Sequence, residues 1–171
     1  NMNYVGLFLQ HQWTITPKVI LSDGIRYNYV GLKSSFENQQ FFQFPFSSTT
    51  QNHHSACGNL GLTFLPAKGL KIAALVSTGF RAPNVDDLAK IFETDATAGT
   101  VIVPNEKLKP EYTVNTELTL GYTFNQYFRV EATGFYTRFF NAIVTDKFTY
   151  NGADTIVLDG KTGTVYANQN K

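Results

Sequence analysis

Cysteine, methionine and tryptophan each occur once in this 171-residue sequence, and histidine occurs three times. The lone Cys57 excludes an internal disulfide, and the chain has no Cys-x-x-Cys pair for zinc or redox chemistry. Charged residues make up 16% of the sequence, against roughly 25% in an ordinary soluble domain. The 14 basic residues nearly balance the 13 acidic ones, so the sequence predicts no nucleic-acid partner.

Long hydrophobic runs are also missing. No stretch of 18 apolar residues is present, which excludes a bundle of membrane-spanning helices. The N-terminus has no basic segment followed by a cleavage-type pattern, as a signal peptide would have. The chain opens inside a strand-like pattern and closes on residues 168–171 without a stop signal. We therefore expect a segment of a longer protein.

Aromatic side chains are what the sequence has in excess. They reach 15%, with fifteen Phe and nine Tyr, which excludes a disordered chain because disordered chains have few aromatics. Period-two alternation dominates, and it is clearest over 111–124, where even positions are apolar or aromatic except Thr116, and odd positions are polar or Gly. Similar patterns predict six strands and a seventh that begins near Thr164. The fold class is therefore all-β.

The connections between these strands alternate in length. Tight turns are expected at 16–18, 66–69 and 125–127, and the first two contain the Pro and Gly residues typical of turns. Long polar loops are expected at about 33–55, 81–109 and 145–163. In an antiparallel up-and-down meander, all short turns then lie at one rim and all long loops at the other, as in transmembrane β-barrels. The alternation fades at residues 138–140, which predicts a β-bulge there.

The apolar faces of the strands have two interpretations. In a soluble β-sandwich they would meet across a core, whereas in an outer-membrane barrel they would face lipid and the polar faces would line the lumen. Large aromatics concentrate near strand ends, as in the aromatic girdles of membrane barrels. The loop asymmetry and the strand length favour the barrel.

Two sequence elements flank the second long loop. One leaves a strand and comprises Phe80, Arg81, Ala82 and Pro83. The other enters the best strand and comprises Pro104, Asn105, Leu108, Lys109, Pro110 and Glu111. Together they resemble the Gly-Phe-Arg-Ala-Pro and Asn-Pro-Asn-Leu-Lys-Pro-Glu elements of TonB-dependent outer-membrane receptors, with departures at Glu106 and Lys107. The resemblance is clearest over about residues 71–168.

The resemblance implies that residues 1–171 are part of a receptor barrel, six or seven strands of a wall of about 22, without the plug domain. It implies a multi-pass protein of a Gram-negative outer membrane that takes up a bulky, scarce nutrient such as an iron–siderophore complex. Its partners would be membrane lipid, that nutrient, and the TonB complex through absent parts of the parent. Two alternatives are a soluble carbohydrate-binding β-sandwich and a passive porin.

The motif residues have a structural interpretation. Pro83 cannot donate to a strand ladder and is expected to end pairing, and Pro110 favours an extended approach to the next strand. Arg81 and Glu111 flank the same loop and are expected to form an ion pair across its neck. Residues 86–92 are expected to form one or two helical turns with Asn84 as the cap.

His53 and His54 are the candidates for ligand contact, in a long loop where imidazoles could bind a metal or haem iron. Adjacent residues of an extended chain point in different directions, so the pair is a poor chelate, and no metal site is predicted. Haem receptors of the resembled family carry a histidine between the two motif elements. Residues 84–103 have none, which argues against haem and leaves the transported nutrient open.

Catalytic patterns are absent from the sequence. There is no Gly-x-Ser-x-Gly elbow, phosphate-binding glycine loop or zinc spacing. Ser22, His11 and Asp23 could be combined as a triad only by free choice of residues. The sequence therefore predicts neither an enzyme nor a bound cofactor.

Overall fold

The computed structural model describes residues 1–35, 48–89, 99–125, 127–158 and 161–171. Ten strands and one short helix form in these ranges. They are β1 (Met2–Thr16), β2 (Val19–Ser35), β3 (Ser48–Phe64), β4 (Leu70–Arg81), α1 (Val85–Ala89), β5 (Thr100–Val103), β6 (Glu111–Asn125), β7 (Phe128–Phe140), β8 (Ile143–Lys147), β9 (Thr155–Leu158) and β10 (Lys161–Asn170).

Six long strands form one antiparallel sheet in the order β1-β2-β3-β4-β6-β7. The predicted up-and-down meander is confirmed, and all three short turns lie at one end of the sheet, here called the short-turn end. Strand β2 pairs with β3 over its full length, from Val19 opposite Phe64 to Ser35 opposite Ser48. The opposite end, which carries the long connections, is called the long-loop end.

The sheet has one apolar and one largely polar face, because side chains alternate along each strand. The face that contains Leu9, Leu60 and Leu118 is called the apolar face, and these three side chains are 70%, 56% and 61% exposed. No described element covers this face as the second layer of a sandwich would. The opposite face, called the polar face, carries Thr, Asn, Gln and charged residues, interrupted by exposed Phe8, Phe135 and Phe139.

A second, smaller sheet lies beyond the long-loop end. Strand β10 pairs in parallel with β5 and antiparallel with β8 and β9. Its buried centre consists of Val101, Val103, Val165 and Ala167, against which Phe148, Tyr150 and Ile156 pack. The expected seventh strand is β10, which begins at Lys161, slightly earlier than predicted. Strands β5 and β9 fall in regions predicted as loops, and β8 begins just before the third predicted loop and extends into it.

Three further boundaries differ from the sequence prediction. The first long loop is shorter than expected, because β2 continues to Ser35 and β3 already begins at Ser48. The expected bulge at residues 138–140 is not observed, since β6 and β7 stay in register through Phe139 and Phe140. Strand β7 instead ends just before Asn141. The φ of Asn141 is 54°, in the left-handed region that asparagine tolerates.

The helix α1 begins at Val85 rather than at residue 86, and residues 90–92 of the predicted helical turns lie outside the described residues. Its Leu88 is fully buried and packs with Leu32 and Leu108. The second long loop therefore folds back onto the end of β2. Among the described residues, no helix is both long and apolar enough to cross a membrane.

Candidate ligand-binding mouth at the long-loop end

The two motif elements meet where the second long loop leaves and re-enters the sheet. Arg81 and Glu111 are directly opposite each other in the β4–β6 register. The Arg81 guanidinium pairs with the Glu111 carboxylate through Nε, and its Nη1 lies 2.7 Å from Asp87 Oδ2. Glu111 also accepts the Ile143 N–H at 2.6 Å. Arg81, Asp87 and Glu111 are called the loop neck, and they join β4, α1, β6 and the start of β8.

The contacts of the loop neck favour the charged forms of Arg81 and Glu111. The neck lies beyond Phe80 and Tyr112, the last aromatic pair of the apolar face on these strands. Burial alone would raise the pKa of Glu111, but the hydrogen bonds from Arg81 and Ile143 and the Arg81 charge outweigh it, so this pKa is lowered. The hydrogen bond to Glu111, together with the Asp87 carboxylate, raises the pKa of Arg81.

The start of α1 is closed by reciprocal side-chain bonds. Asn84 Oδ1 accepts the Asp87 N–H at 2.7 Å, and Asp87 Oδ2 accepts the Asn84 N–H at 3.0 Å. This arrangement satisfies N–H groups that have no partner within the helix. Because Asp87 also pairs with Arg81, the cap holds the helix against the loop neck.

Two asparagines of β10 attach the second motif element to the smaller sheet. Asn168 accepts the Asn105 side-chain amide on its main-chain oxygen at 2.8 Å and donates its own amide to Asp87 O at 2.9 Å. Asn170 bonds both main-chain groups of Lys109, at 2.7 Å to the N–H and 2.9 Å to the oxygen. The second long loop is thereby attached both to the loop neck and to β10.

The remaining motif residues occupy packed or half-buried positions. Pro83 and Leu108 are buried, and so is Pro104, which directly follows β5. Ala82 and Pro110 are half-buried. Phe80 lies 5.5 Å from the Tyr112 ring on the apolar face. Of the whole motif, only Arg81 and Lys109 present substantially exposed charge.

The placement of His53 and His54 in a loop was wrong, because both lie within β3, opposite Val30 and Tyr29. This polar stretch forms a regular strand because it pairs with β2. His53 Nε2 lies 2.8 Å from Gln51 Oε1, and His54 Nδ1 lies 2.6 Å from the Tyr27 hydroxyl. A ligand role for either residue stays a prediction.

A hydrogen-bonded arginine on the polar face escaped the sequence analysis. Arg26 donates through Nε to Asn28 Oδ1 at 2.7 Å and through Nη2 to the Tyr4 hydroxyl at 2.9 Å. The Tyr4 hydroxyl in turn donates to Asn28 at 2.5 Å. No carboxylate pairs with Arg26 among the described residues. Arg26 was missed because its partners lie on two strands and become neighbours only through the register.

Arg26 and Arg81 border the same concave region of about 430 Å³. Its lining also includes Tyr4, Asn28 and Cys57. Arg81 is matched by two carboxylates, whereas Arg26 contributes positive charge held in position by neutral partners. The arrangement suits the binding of an anion.

Catalytic and metal constellations were also sought in the described parts of the chain. No three His, Cys, Asp or Glu side chains there converge as a metal site would require. His11 and Asp23 are 3.1 Å apart on the apolar face. Ser22 lies on the opposite face, where its hydroxyl is 3.4 Å from Gly61 O, so these three residues form no triad.

Comparisons with known proteins agree with this architecture. The family model described as "TonB dependent receptor-like, beta-barrel" matches residues 1–171. A comparison with curated proteins gives no significant match.

Several solved structures share the fold. The Serratia marcescens hemophore receptor HasR, solved with its hemophore HasA and heme, superimposes with a TM-score of 0.71 at 15% identity, covering 99% of this chain and 29% of that one. The copper transporter OprC gives 0.69 at 17% identity, covering 98% and 24%. The siderophore receptor PirA from Pseudomonas aeruginosa gives 0.61 at 15% identity, covering 99% and 37%. The chain thus spans about a quarter to a third of these proteins.

Proposed function

This chain belongs to the TonB-dependent receptor-like β-barrel family, and from that premise we propose that it forms part of the wall of an outer-membrane active transporter. The parent protein takes up a bulky, scarce nutrient, such as an iron–siderophore complex. The apolar face contacts lipid, the polar face lines the lumen, and the long-loop end faces the outside. Energy coupling to TonB and closure by a plug belong to parts of the parent beyond these residues.

The observation that carries the proposal is the single-layer sheet with short turns at one end and folded long connections at the other. A sheet that exposes so many large apolar side chains in one continuous face is stable only where that face meets hydrocarbon or another protein. The long connections are not merely extended loops. Their hydrophobic clusters and side-chain bonds give the outer mouth a defined shape on which a large ligand can be captured.

The positive charge of Arg26 restricts the chemical class of the nutrient that we propose. Arg26 presents a cation whose hydrogen bonds to Tyr4 and Asn28 hold it in place before a ligand arrives. A positioned guanidinium suits carboxylate or other oxyanion groups, which it can bind with two parallel hydrogen bonds. The structurally similar proteins are a copper transporter, a hemophore receptor solved with heme, and a siderophore receptor. We therefore favour an anionic metal complex.

Uptake in the source bacterium tests the proposal. Cells lacking the parent gene are expected to take up radioactive iron from one ferric siderophore at least ten-fold more slowly than unmodified cells. A plasmid copy of the gene is expected to restore the rate. Removal of TonB is expected to abolish the same uptake. Uptake that persists without TonB would support the passive porin instead. If cells lacking the gene take up every ferric, copper and haem complex at the unmodified rate, the proposal that the parent transports a metal complex is contradicted.

A further inference from the structure

Among the described residues, the apolar face contains one histidine–aspartate pair in the middle of its strands. His11 of β1 lies directly opposite Asp23 of β2, with Nδ1 and Oδ1 3.1 Å apart, and the two side chains are 55% and 48% exposed. Leu9, Trp13, Leu21 and Ile25 occupy the neighbouring positions of this face on the same strands. The pair is therefore surrounded by apolar side chains.

The depth of this pair separates it from the membrane surfaces. Asp23 is five residues beyond Lys18 of the short turn. With a rise of about 3.4 Å per residue and a strand tilt of roughly 40°, it lies about 13 Å from that end of a lipid-facing band roughly 25 Å tall. Lipid headgroups do not reach that depth. At comparable distances, the other long strands place uncharged residues on this face: Leu60, Ala74, Leu120 and Ala132.

The pair satisfies only part of its own hydrogen-bonding capacity. The Nδ1–Oδ1 contact leaves His11 Nε2 and Asp23 Oδ2 without a partner among the described residues. An ionisable side chain on the lipid face at mid-depth is costly, so such residues usually contact another protein group. When the pair carries no net charge, His11 presents an N–H through Nε2 and Asp23 presents an acceptor oxygen, so a partner that covers this position must supply one acceptor and one donor.

We propose that the outward surface of β1 and β2 around His11 and Asp23 binds a second copy of the same barrel within the membrane. The proposal rests on the proposed function, because it requires the apolar face to lie in lipid. A donor and an acceptor side by side form a self-complementary patch. A two-fold axis beside the pair brings His11 of one copy to Asp23 of the other, so each copy supplies what the other lacks. Leu9 and Ile25 then pack across the axis.

Cysteine cross-linking of the full-length parent in native outer membranes tests this interface. In a Cys57→Ser background, Leu9→Cys places a thiol beside the pair. Leu120→Cys places one at comparable depth on β6 of the same face and serves as the matched control. On oxidation, Leu9→Cys is expected to give at least five-fold more dimer of twice the parent mass than Leu120→Cys. Addition of His11→Leu is expected to remove that excess, and the exchange His11→Asp with Asp23→His is expected to restore it.

Three other outcomes overturn the interface. Equal, low cross-linking of the two cysteines would show that no second copy covers the pair. A Leu9→Cys product of another mass would assign the surface to a different membrane protein. Outer-membrane insertion is scored in the same samples by the change of gel mobility on boiling. A parent outside the outer membrane would overturn both the interface and the proposed function, whereas an inserted parent without dimers overturns the interface alone.

Discussion

Replacement of Leu120 by arginine is expected to destabilise the parent barrel by about 2–4 kcal/mol, the cost of a cationic side chain at the bilayer midplane. Leu120 is 55% exposed on the apolar face of β6, opposite Ile72 and Ala132. It is five residues from the short-turn end, about 13 Å into the lipid-facing band. The measurement is the free energy of unfolding from urea titration of the full-length protein in lipid vesicles.

Its neighbour on the same strand provides the control. Thr119 lies on the polar face, where its hydroxyl is 2.9 Å from that of Thr133, and Thr119→Arg is expected to cost only about 1 kcal/mol, the value of that hydrogen bond. Leu120→Met keeps an apolar side chain and is expected to cost less than about 1.5 kcal/mol. Equal losses for the two arginine variants would contradict the assignment of the faces.

Replacement of Glu111 by alanine is expected to release the second and third long connections from the sheet. The change removes the partner of Arg81 and the acceptor of the Ile143 N–H together. Loss of a partly buried acceptor costs about 1–3 kcal/mol, so hydrogen exchange of the Ile143 amide is expected to accelerate by roughly ten- to a hundred-fold through local opening. The full-length protein in detergent is the sample.

Two further variants and the pH dependence separate the contributions at the loop neck. Glu111→Gln keeps an acceptor for Ile143 but loses the charge, and a smaller acceleration is expected. Asp86→Asn changes a charge on α1, the helix that carries Asp87, at an exposed side chain outside the loop neck, and no acceleration is expected.

Because the pKa of Glu111 is lowered in the fold, the stabilisation that Glu111 contributes is present above the ordinary carboxyl pKa of about 4.3 and is lost as pH falls through the lower folded value. Constant protection of the Ile143 amide below that range, after correction for intrinsic exchange, would contradict this role of the carboxylate.

The wall of the barrel was accessible to sequence reasoning because each strand carries its own signal. The alternation over 111–124 defines β6 and both of its faces without reference to any partner strand. The turns at 16–18 and 66–69 use Pro and Gly, whose backbone preferences are local. Asn84 was also identified as a cap from its position before an acidic, amphipathic turn.

The outer structure was much less accessible, because it depends on contacts between distant segments. Strand β5 becomes a strand only when β10 pairs beside it, more than sixty residues later in the chain. His53 and His54 lie in a polar stretch that reads as a loop, and only the ladder with β2 makes it a strand. His11 and Asp23 each interrupt the apolar face in the sequence, but their pairing requires the β1–β2 register.

The central claim is that the apolar face lies in lipid and the polar face in water. Spin labels attached to single cysteines at residues 117–122 of the full-length parent, with Cys57→Ser and in lipid vesicles, test it most directly. Labels at Leu118, Leu120 and Tyr122 are expected to be accessible to oxygen and shielded from a water-soluble nickel complex. Labels at Glu117, Thr119 and Gly121 are expected to show the reverse. Access that does not alternate, or nickel access at the three apolar positions, would contradict the account.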